Sequence, residues 1–289
     1  MGLNKTGSDR FELVQAELSD RDSWLSAVRG CRYVFHLASP TTDVGGDRRI
    51  VKPAVEGVRN LLNAVELEPS VERVVLCSSV AAAFRHDKQR LESQDWSDAR
   101  FGGPYARSKH LAEKAAWDAV SGILERSPDR NLNLVSILPA VTIGPLLTPR
   151  VTGSLEMRMP LVDVRDVAEA HLRAMTAAEA AGRRVIVSGT DEGVDFTDIA
   201  NVMREEFAEK GFTPTTKTLP TWLLKGSSAF LGLVKRDYRH LHKTFDHKWA
   251  VSDKERSELL GMRECRPWQT SVVDMCNSLI EMGIVQKNK

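Results

Sequence analysis

The stretch YVFHLASP at residues 33–40 begins with a compact, mostly apolar run and ends with a serine and a proline. A short apolar run that is closed by such residues is typical of a β-strand buried on both faces. Further runs of this kind lie at residues 71–77 and 133–138. Between the first two runs, residues 50–66 carry apolar side chains at helical spacing. Apolar strands that alternate with helices predict an α/β fold with a parallel sheet covered on both faces.

The same alternation continues on either side of these runs. The other predicted elements are a strand over residues 11–18, a helix over residues 20–28 that Ser19 or Asp20 caps and Gly30 ends, a helix over residues 168–177, a strand over residues 184–189 and a helix over residues 196–210. In a parallel sheet, ligands bind beyond the carboxyl ends of the strands. The loops expected there are residues 36–40, 78–80 and 139–145.

Composition and charge narrow the class of protein. The chain has 289 residues, of which 42% are hydrophobic and 27% are charged, as is ordinary for a globular protein. A net charge of +1 favours neither a nucleic-acid partner nor a membrane surface, and no apolar run reaches the length of about 18 residues that a membrane helix needs. The 4 cysteines are scattered without a C-x-x-C pair, which predicts a reducing compartment such as the cytoplasm and no metal site.

A candidate site begins at residues 104–109, which read PYARSK and open a predicted long helix. Tyr105 and Lys109 are separated by one helical turn, so they share a face of that helix. The pKa of a free phenol is about 10, and a nearby ammonium group lowers it toward the range in which proton exchange is useful. This spacing alone is common, and a tyrosine packed beside a solvated lysine is the alternative. The helix begins soon after the loop at residues 78–80, which favours the functional interpretation.

Several stretches, in a fixed order, resemble the extended short-chain dehydrogenases/reductases, and most of all the dihydroflavonol reductase and cinnamoyl-CoA reductase group. The matching stretches are residues 13–18, 34–40, 52–57, 74–80, 105–109, 139–145 and 162–172. The resemblance implies a Rossmann-like, doubly wound parallel sheet with a smaller, mostly helical C-terminal substrate region. It assigns residues 1–145 and 161–190 to the dinucleotide-binding domain, and residues 146–160 and 191–289 to the substrate-binding region.

The resemblance also implies a reaction and the residues that perform it. It implies an NAD(P)-dependent reductase of a ketone or aldehyde, with NADP favoured over NAD. Ser79 would hold the substrate oxygen, Tyr105 would give that oxygen a proton, and Lys109 would lower the tyrosine pKa and hold the nicotinamide ribose. Negative charge develops on the carbonyl oxygen as hydride arrives, so donors aimed at this oxygen stabilise the transition state. The loop positions expected to line the cofactor are Ala38, Ser39 and Pro139.

Two departures from the family pattern stand out. Family members begin with a strand, a Gly-x-x-Gly-x-x-Gly turn and a helix, which bring backbone N–H groups to the cofactor pyrophosphate. No such spacing occurs here, so we expect an N-terminally truncated sheet that lacks roughly 50 residues of the first βαβ unit. The second departure is a short connection at residues 150–160, where relatives carry a longer helix and strand.

Three hypotheses about the function follow from these matches and departures. The first is a reductase that acts on a small-molecule carbonyl or alcohol. The second is a non-catalytic pseudoenzyme or regulatory binding subunit, which the missing glycine turn favours. A nucleotide-sugar epimerase or hydroxysteroid dehydrogenase would use the same three catalytic residues, but residues 52–57 resemble the flavonoid reductases. Family members pair through helices, so a homodimer is one option for assembly.

Overall fold

The computed structural model describes residues 12–40, 46–85, 87–98, 103–145, 158–212, 249–285 and 287. Its helices are α1 (Arg21–Val28), α2 (Gly46–Leu67), α3 (Gly103–Arg126), α4 (Val164–Thr176), α5 (Phe196–Phe207), α6 (Lys254–Leu260) and α7 (Trp268–Glu281). Its strands are β1 (Tyr33–His36), β2 (Arg73–Cys77), β3 (Arg90–Leu91), β4 (Asn133–Pro139), β5 (Val141–Ile143), β6 (Leu161–Asp163), β7 (Arg184–Val187) and β8 (Ala250–Val251). Much of the predicted substrate-binding region, at residues 146–157 and 213–248, lies outside the described residues.

The central sheet consists of β1, β2, β4 and β7 in that spatial order. All neighbouring strands run parallel, and the register places Val75 of β2 beside Phe35 of β1 and Val135 of β4. The apolar runs that predicted buried strands all lie in this sheet. The predicted α/β fold with a Rossmann-like parallel sheet is therefore confirmed.

Helices cover both faces of the sheet because side chains alternate along each strand. Val74 and Leu134 belong to a buried cluster that α2 and α3 complete, whereas their neighbours Val75 and Val135 belong to a second cluster that includes Ala170 of α4. The first cluster holds one helical layer against the sheet, and the second cluster holds the other. This two-sided cover explains why the strands read as continuous apolar runs rather than as an alternating pattern.

The predicted strand over residues 11–18 is wrong. Phe11 lies outside the described residues, and residues 12–17 are irregular and exposed, with Leu13 79% exposed. A strand needs a neighbour that satisfies its N–H and C=O groups. The outermost strand of the described sheet is β1, and residues 12–17 pair with no described strand. The helix that follows is as expected, because the side chain of Asp20 caps α1 by accepting from backbone N–H groups.

The C-terminal helix α7 packs against α5 through a small apolar cluster that includes Phe207 and Val272. A polar contact joins this helix to the Rossmann-like part of the chain. The guanidinium of Arg165, near the start of α4, donates to Asp163 at 2.7 Å and to Asp274 of α7 at 2.7 Å. The C-terminal helix is thus anchored beside the carboxyl end of β6.

The cysteines are all free thiols. Of the helices in the described ranges, none has the length and apolar composition needed to cross a bilayer. The described side chains likewise include no group of three or more His, Cys, Asp or Glu residues that could hold a metal ion.

Candidate active site

The loop after β2 carries the predicted catalytic serine. Ser78 continues the sheet, since its N–H donates to the carbonyl of Ile137 in β4 at 2.8 Å. Ser79 comes next and caps the short 3₁₀ turn Val80–Ala82, where its hydroxyl accepts from the N–H of Ala81 at 3.2 Å. A hydroxyl that accepts one hydrogen bond still has its own proton to donate. Ser79 is therefore fixed at the carboxyl end of β2, and among the described residues its Oγ proton has no acceptor.

Helix α3 presents the predicted tyrosine and lysine at the same end of the sheet. Gly103 begins the helix with a φ of +73°, a left-handed conformation that suits glycine. Tyr105 lies partly buried in the first turn of the helix. One turn later, Lys109 is 8% exposed, and its Nζ donates to the carbonyl oxygen of Cys77 at 3.1 Å. This bond places the ammonium group at the last residue of β2, two positions before Ser79.

A small cleft opens between β1, β2, α2 and α3 at this edge of the sheet. Three of the predicted cofactor residues, Ala38, Ser39 and Lys109, line it together with His36 and Ser78. The structure thus brings these three predicted residues together. Ser79 and Tyr105 are not part of the cleft lining, and Pro139 is buried at the end of β4, where it pairs with Val187.

Lys109 dominates the electrostatics of the cleft. Burial lowers the pKa of Lys109, while the nearby Cys77 and Glu113 oppose this change. Burial and the Lys109 charge together lower the pKa of His36 to about 4, so this imidazole is neutral at pH 7. Burial also raises the pKa of the Cys77 thiol. Glu113 is consequently the anionic neighbour that Lys109 has within the described part of the cleft.

Sequence reasoning missed a buried polar network that begins in the wall of the cleft. Glu113 is 1% exposed and accepts from the hydroxyl of Ser78 at 2.6 Å and from Nε of Arg184 at 2.7 Å. The signal for Glu113 was its position one turn after Lys109 on the same helix. The signal for Arg184 was a charged residue at the start of an apolar run that forms β7.

The described residues fit one end of a nicotinamide dinucleotide. A buried ammonium group at the carboxyl end of β2 suits the hydroxyls of a ribose, and the exposed Ala38 and partly exposed Ser39 lie beside it. On the outer side of β1, the described part of the chain offers no strand and no glycine-rich turn. The pyrophosphate cradle that the dinucleotide needs is therefore not supplied by the described residues.

Comparisons with known proteins place the chain in a family and identify similar reductases. The model of the NAD dependent epimerase/dehydratase family matches residues 2–188. The chain is 34% identical over 222 residues to a cinnamoyl-CoA reductase of Medicago truncatula, covering 68% of this chain and 65% of that protein. It is 29% identical over 282 residues to a dihydroflavonol 4-reductase of Gerbera hybrida, covering 88% of this chain and 72% of that protein.

A solved structure extends these matches to three dimensions. Yeast methylglyoxal/isovaleraldehyde reductase complexed with NADPH superposes with a TM-score of 0.72 at 27% identity, covering 95% of this chain and 85% of the yeast chain. The chain spans less than two thirds of the length of the Medicago reductase, because the match covers 65% of it.

Proposed function

Because the chain belongs to the NAD dependent epimerase/dehydratase family, we propose that it is an NAD(P)-dependent oxidoreductase that reduces a ketone or aldehyde. The predicted resemblance to cinnamoyl-CoA and dihydroflavonol reductases is confirmed by relatives of both names. The bound NADPH of the yeast reductase favours NADP(H) as the cofactor. The observation that carries the proposal is the buried Lys109 ammonium at the end of β2, beside the Ser79 loop and one turn from Tyr105.

In this proposal the protein residues manage the proton and the developing charge. NAD(P)H, when bound, supplies the hydride that the carbonyl carbon receives. Tyr105 donates its phenolic proton to the carbonyl oxygen, and the Ser79 hydroxyl donates a hydrogen bond to the same oxygen. The Lys109 ammonium favours the resulting phenolate and would hold the ribose hydroxyls of a bound cofactor. The products are the alcohol and the oxidised cofactor, and water returns a proton to Tyr105.

The remaining assignments follow the same reasoning. We assign the cofactor to residues 1–145 and 161–190, with Ala38, Ser39, Lys109 and Pro139 as its contacts, and the substrate to residues 146–160 and 191–289. The free cysteines support a cytoplasmic location, since a reducing compartment keeps thiols free. The partner is a small-molecule carbonyl or alcohol.

Turnover tests this function directly. The chain is mixed with NADPH, or with NADH, and a panel of aromatic and aliphatic carbonyls while the cofactor absorbance is followed. Loss of the general acid in Tyr105→Phe is expected to lower kcat by about 10²–10⁴-fold. The matched control is Tyr33→Phe, which removes a phenolic hydroxyl from β1 and leaves kcat unchanged. Absence of turnover with every carbonyl, or equal rates for wild type and Tyr105→Phe, would overturn the proposal.

A further inference from the structure

Glu113 and Arg184 form an ion pair that is buried in the described structure. Their side chains are 1% and 8% exposed, and two hydrogen bonds join the guanidinium to the carboxylate, with Nε–Oε1 at 2.7 Å and Nη2–Oε2 at 3.1 Å. The remaining guanidinium group Nη1 donates to the carbonyl of Ser93 at 2.7 Å and to the carbonyl of Asp95. The centroid of the Trp96 ring lies 3.7 Å from Cζ of the guanidinium. Each nitrogen of the Arg184 guanidinium is therefore hydrogen-bonded, and the ring of Trp96 covers one of its faces.

Stability alone does not account for a pair of this kind. Removing two charges from water costs several kcal/mol per ion, and apolar residues of similar volume often stabilise a fold as well or better. A fully hydrogen-bonded pair does fix the position of its members, because each bond restricts a direction as well as a distance. The question is therefore which other group the pair fixes.

The carboxylate of Glu113 ties the two halves of the candidate site together. Its Oε2 accepts from the hydroxyl of Ser78 at 2.6 Å, and Ser78 immediately precedes Ser79 in the loop after β2. Glu113 itself lies on α3, the helix that carries Tyr105 and Lys109, one turn after the lysine. One carboxylate thus joins the serine loop to the helix of the tyrosine and lysine.

We propose that Glu113, held by Arg184, is a positioning residue of the reductase reaction, which fixes the Ser79 loop against the helix of Tyr105 and Lys109. This inference rests on the proposed function. Glu113 does not touch the reacting atoms. It acts through Ser78 by geometry and through Lys109 by charge.

The charge effect has a definite direction. Besides Tyr105, one turn away on α3, the titratable groups that face Lys109 in the described cleft are His36 from β1, Cys77 from β2 and Glu113 from α3. Of these, His36 and Cys77 are neutral at pH 7. Burial lowers the pKa of Lys109, and the Glu113 charge opposes that fall. Neutralising Glu113 would leave Lys109 with a lower pKa, so the ammonium form would be lost at a lower pH. The phenolate of Tyr105 would then lose its nearby cation over the same pH range.

Two variants separate the geometric role from the charge role. Ser78→Ala removes the hydroxyl that Glu113 holds and leaves both charges in place. We expect kcat to fall about tenfold with the KM for NADPH nearly unchanged, and Ser78→Thr, which restores a hydroxyl, to recover most of the rate. The matched control is Ser136→Ala. Ser136 is also fully buried, in the neighbouring β4, but its hydroxyl has no hydrogen-bond partner in the described structure, so its loss should leave kcat unchanged.

Glu113→Gln keeps the shape of the side chain and removes its charge. The pKa of Lys109 is read from the NMR shift of a ¹³Cε-labelled lysine as pH is raised, with the signal assigned by its loss in Lys109→Arg. We expect the Lys109 transition to move to lower pH in Glu113→Gln, and the pH profile of kcat to move with it. Circular dichroism confirms that the variant is folded.

The outcomes distinguish this inference from the function on which it rests. Equal kcat for Ser78→Ala and Ser136→Ala, or an unchanged Lys109 transition in Glu113→Gln, would overturn the positioning role. If wild type turns over no carbonyl, the proposed function fails, and the NMR titration still decides whether Glu113 controls Lys109. A Lys109 transition that moves to lower pH in Glu113→Gln then shows that Glu113 acts on Lys109, even though the proposed reaction has failed.

Discussion

The two edges of the described sheet differ sharply in how they are covered. Every residue of β7 is buried, and the N–H of Ile186 donates to the hydroxyl of Ser93 at 3.1 Å. At the opposite edge, Phe35 of β1 is 38% exposed and Leu37, just beyond the strand, is 59% exposed. Within β1, only His36 at the carboxyl end is buried. One edge is thus closed by side chains, and the other is apolar and open in the described structure.

This difference shows where the candidate chemistry is anchored. From the closed edge, Arg184 of β7 reaches Glu113, which in turn holds Ser78 at the end of β2. The residues predicted to transfer the proton are therefore supported from the β7 side. The open edge at β1 is where the family pattern continues with the strand and glycine turn that receive the cofactor pyrophosphate. The two edges can be compared directly by substitution.

The largest effect should come from breaking the closed edge at Arg184. Arg184→Met leaves the Glu113 carboxylate buried without its cation, and loss of one partner of such a pair costs about 3–5 kcal/mol of unfolding free energy. Urea unfolding measures the change. The matched control is Arg32→Met just before β1, because Arg32 pairs with Glu72 at 2.9 Å on an exposed surface and should leave the unfolding midpoint nearly unchanged. Equal losses in the two variants would contradict the contrast between the edges.

The next largest effect is the pH dependence of stability that comes from His36, the buried residue at the carboxyl end of β1. Burial and Lys109 lower the pKa of His36 to about 4 in the folded protein, against about 6.5 when unfolded. The folded state therefore resists protonation of His36. The contribution of neutral His36 to the free energy of unfolding is fully present above pH 6.5 and is lost as the pH falls toward 4. At about 1.4 kcal/mol per pKa unit, the loss attributable to His36 is about 3 kcal/mol.

A variant isolates this effect from other acid-sensitive groups. His36→Gln carries no titrating group at this position, so it should lose about 3 kcal/mol less than wild type between pH 6.5 and pH 4. Urea unfolding at several pH values gives the difference between the two proteins. If both lose the same stability over this interval, His36 is not held neutral by the fold.

Much of this architecture could be predicted from the sequence because burial on both faces leaves a clear signal. The apolar runs at residues 33–38, 71–77 and 133–138 each became a strand of the sheet. The strand expected over residues 11–18 failed for the opposite reason. Its local pattern favoured a strand, but residues 12–17 pair with no strand of the described sheet, and pairing is a property of the whole fold.

The candidate site was most directly predictable where its residues are close in sequence. Tyr105 and Lys109 share a helix, so their spacing alone places them on one face. The link between Glu113 and Arg184 could not be read in this way. The two residues lie on different elements, and neither of their signals in the sequence indicates that the two side chains meet. The roles of Ser79, Tyr105 and Lys109 remain predictions that the turnover experiment tests.

The smallest expected effect is the cost of a threonine substitution in the open strand β1. It is compared with the same substitution at the neighbouring position of the covered strand β2. Phe35 of β1 and Val75 of β2 lie side by side in the sheet, but Phe35 is 38% exposed and Val75 is 0% exposed. Phe35 makes an edge contact with His171, with ring centroids 6.3 Å apart. Phe35→Thr loses that contact and some apolar burial but leaves the new hydroxyl near solvent, so it should cost at most about 1 kcal/mol.

Val75→Thr replaces a methyl group by a hydroxyl of nearly the same size within a buried apolar cluster. Such a group costs about 1–3 kcal/mol of unfolding free energy. Threonine suits a strand in both variants, so the difference between their losses of unfolding free energy reports the burial of the two positions rather than strand propensity. Because the open edge is defined by exposure of Phe35, a cost for Phe35→Thr equal to that of Val75→Thr would mean that this edge is covered in solution.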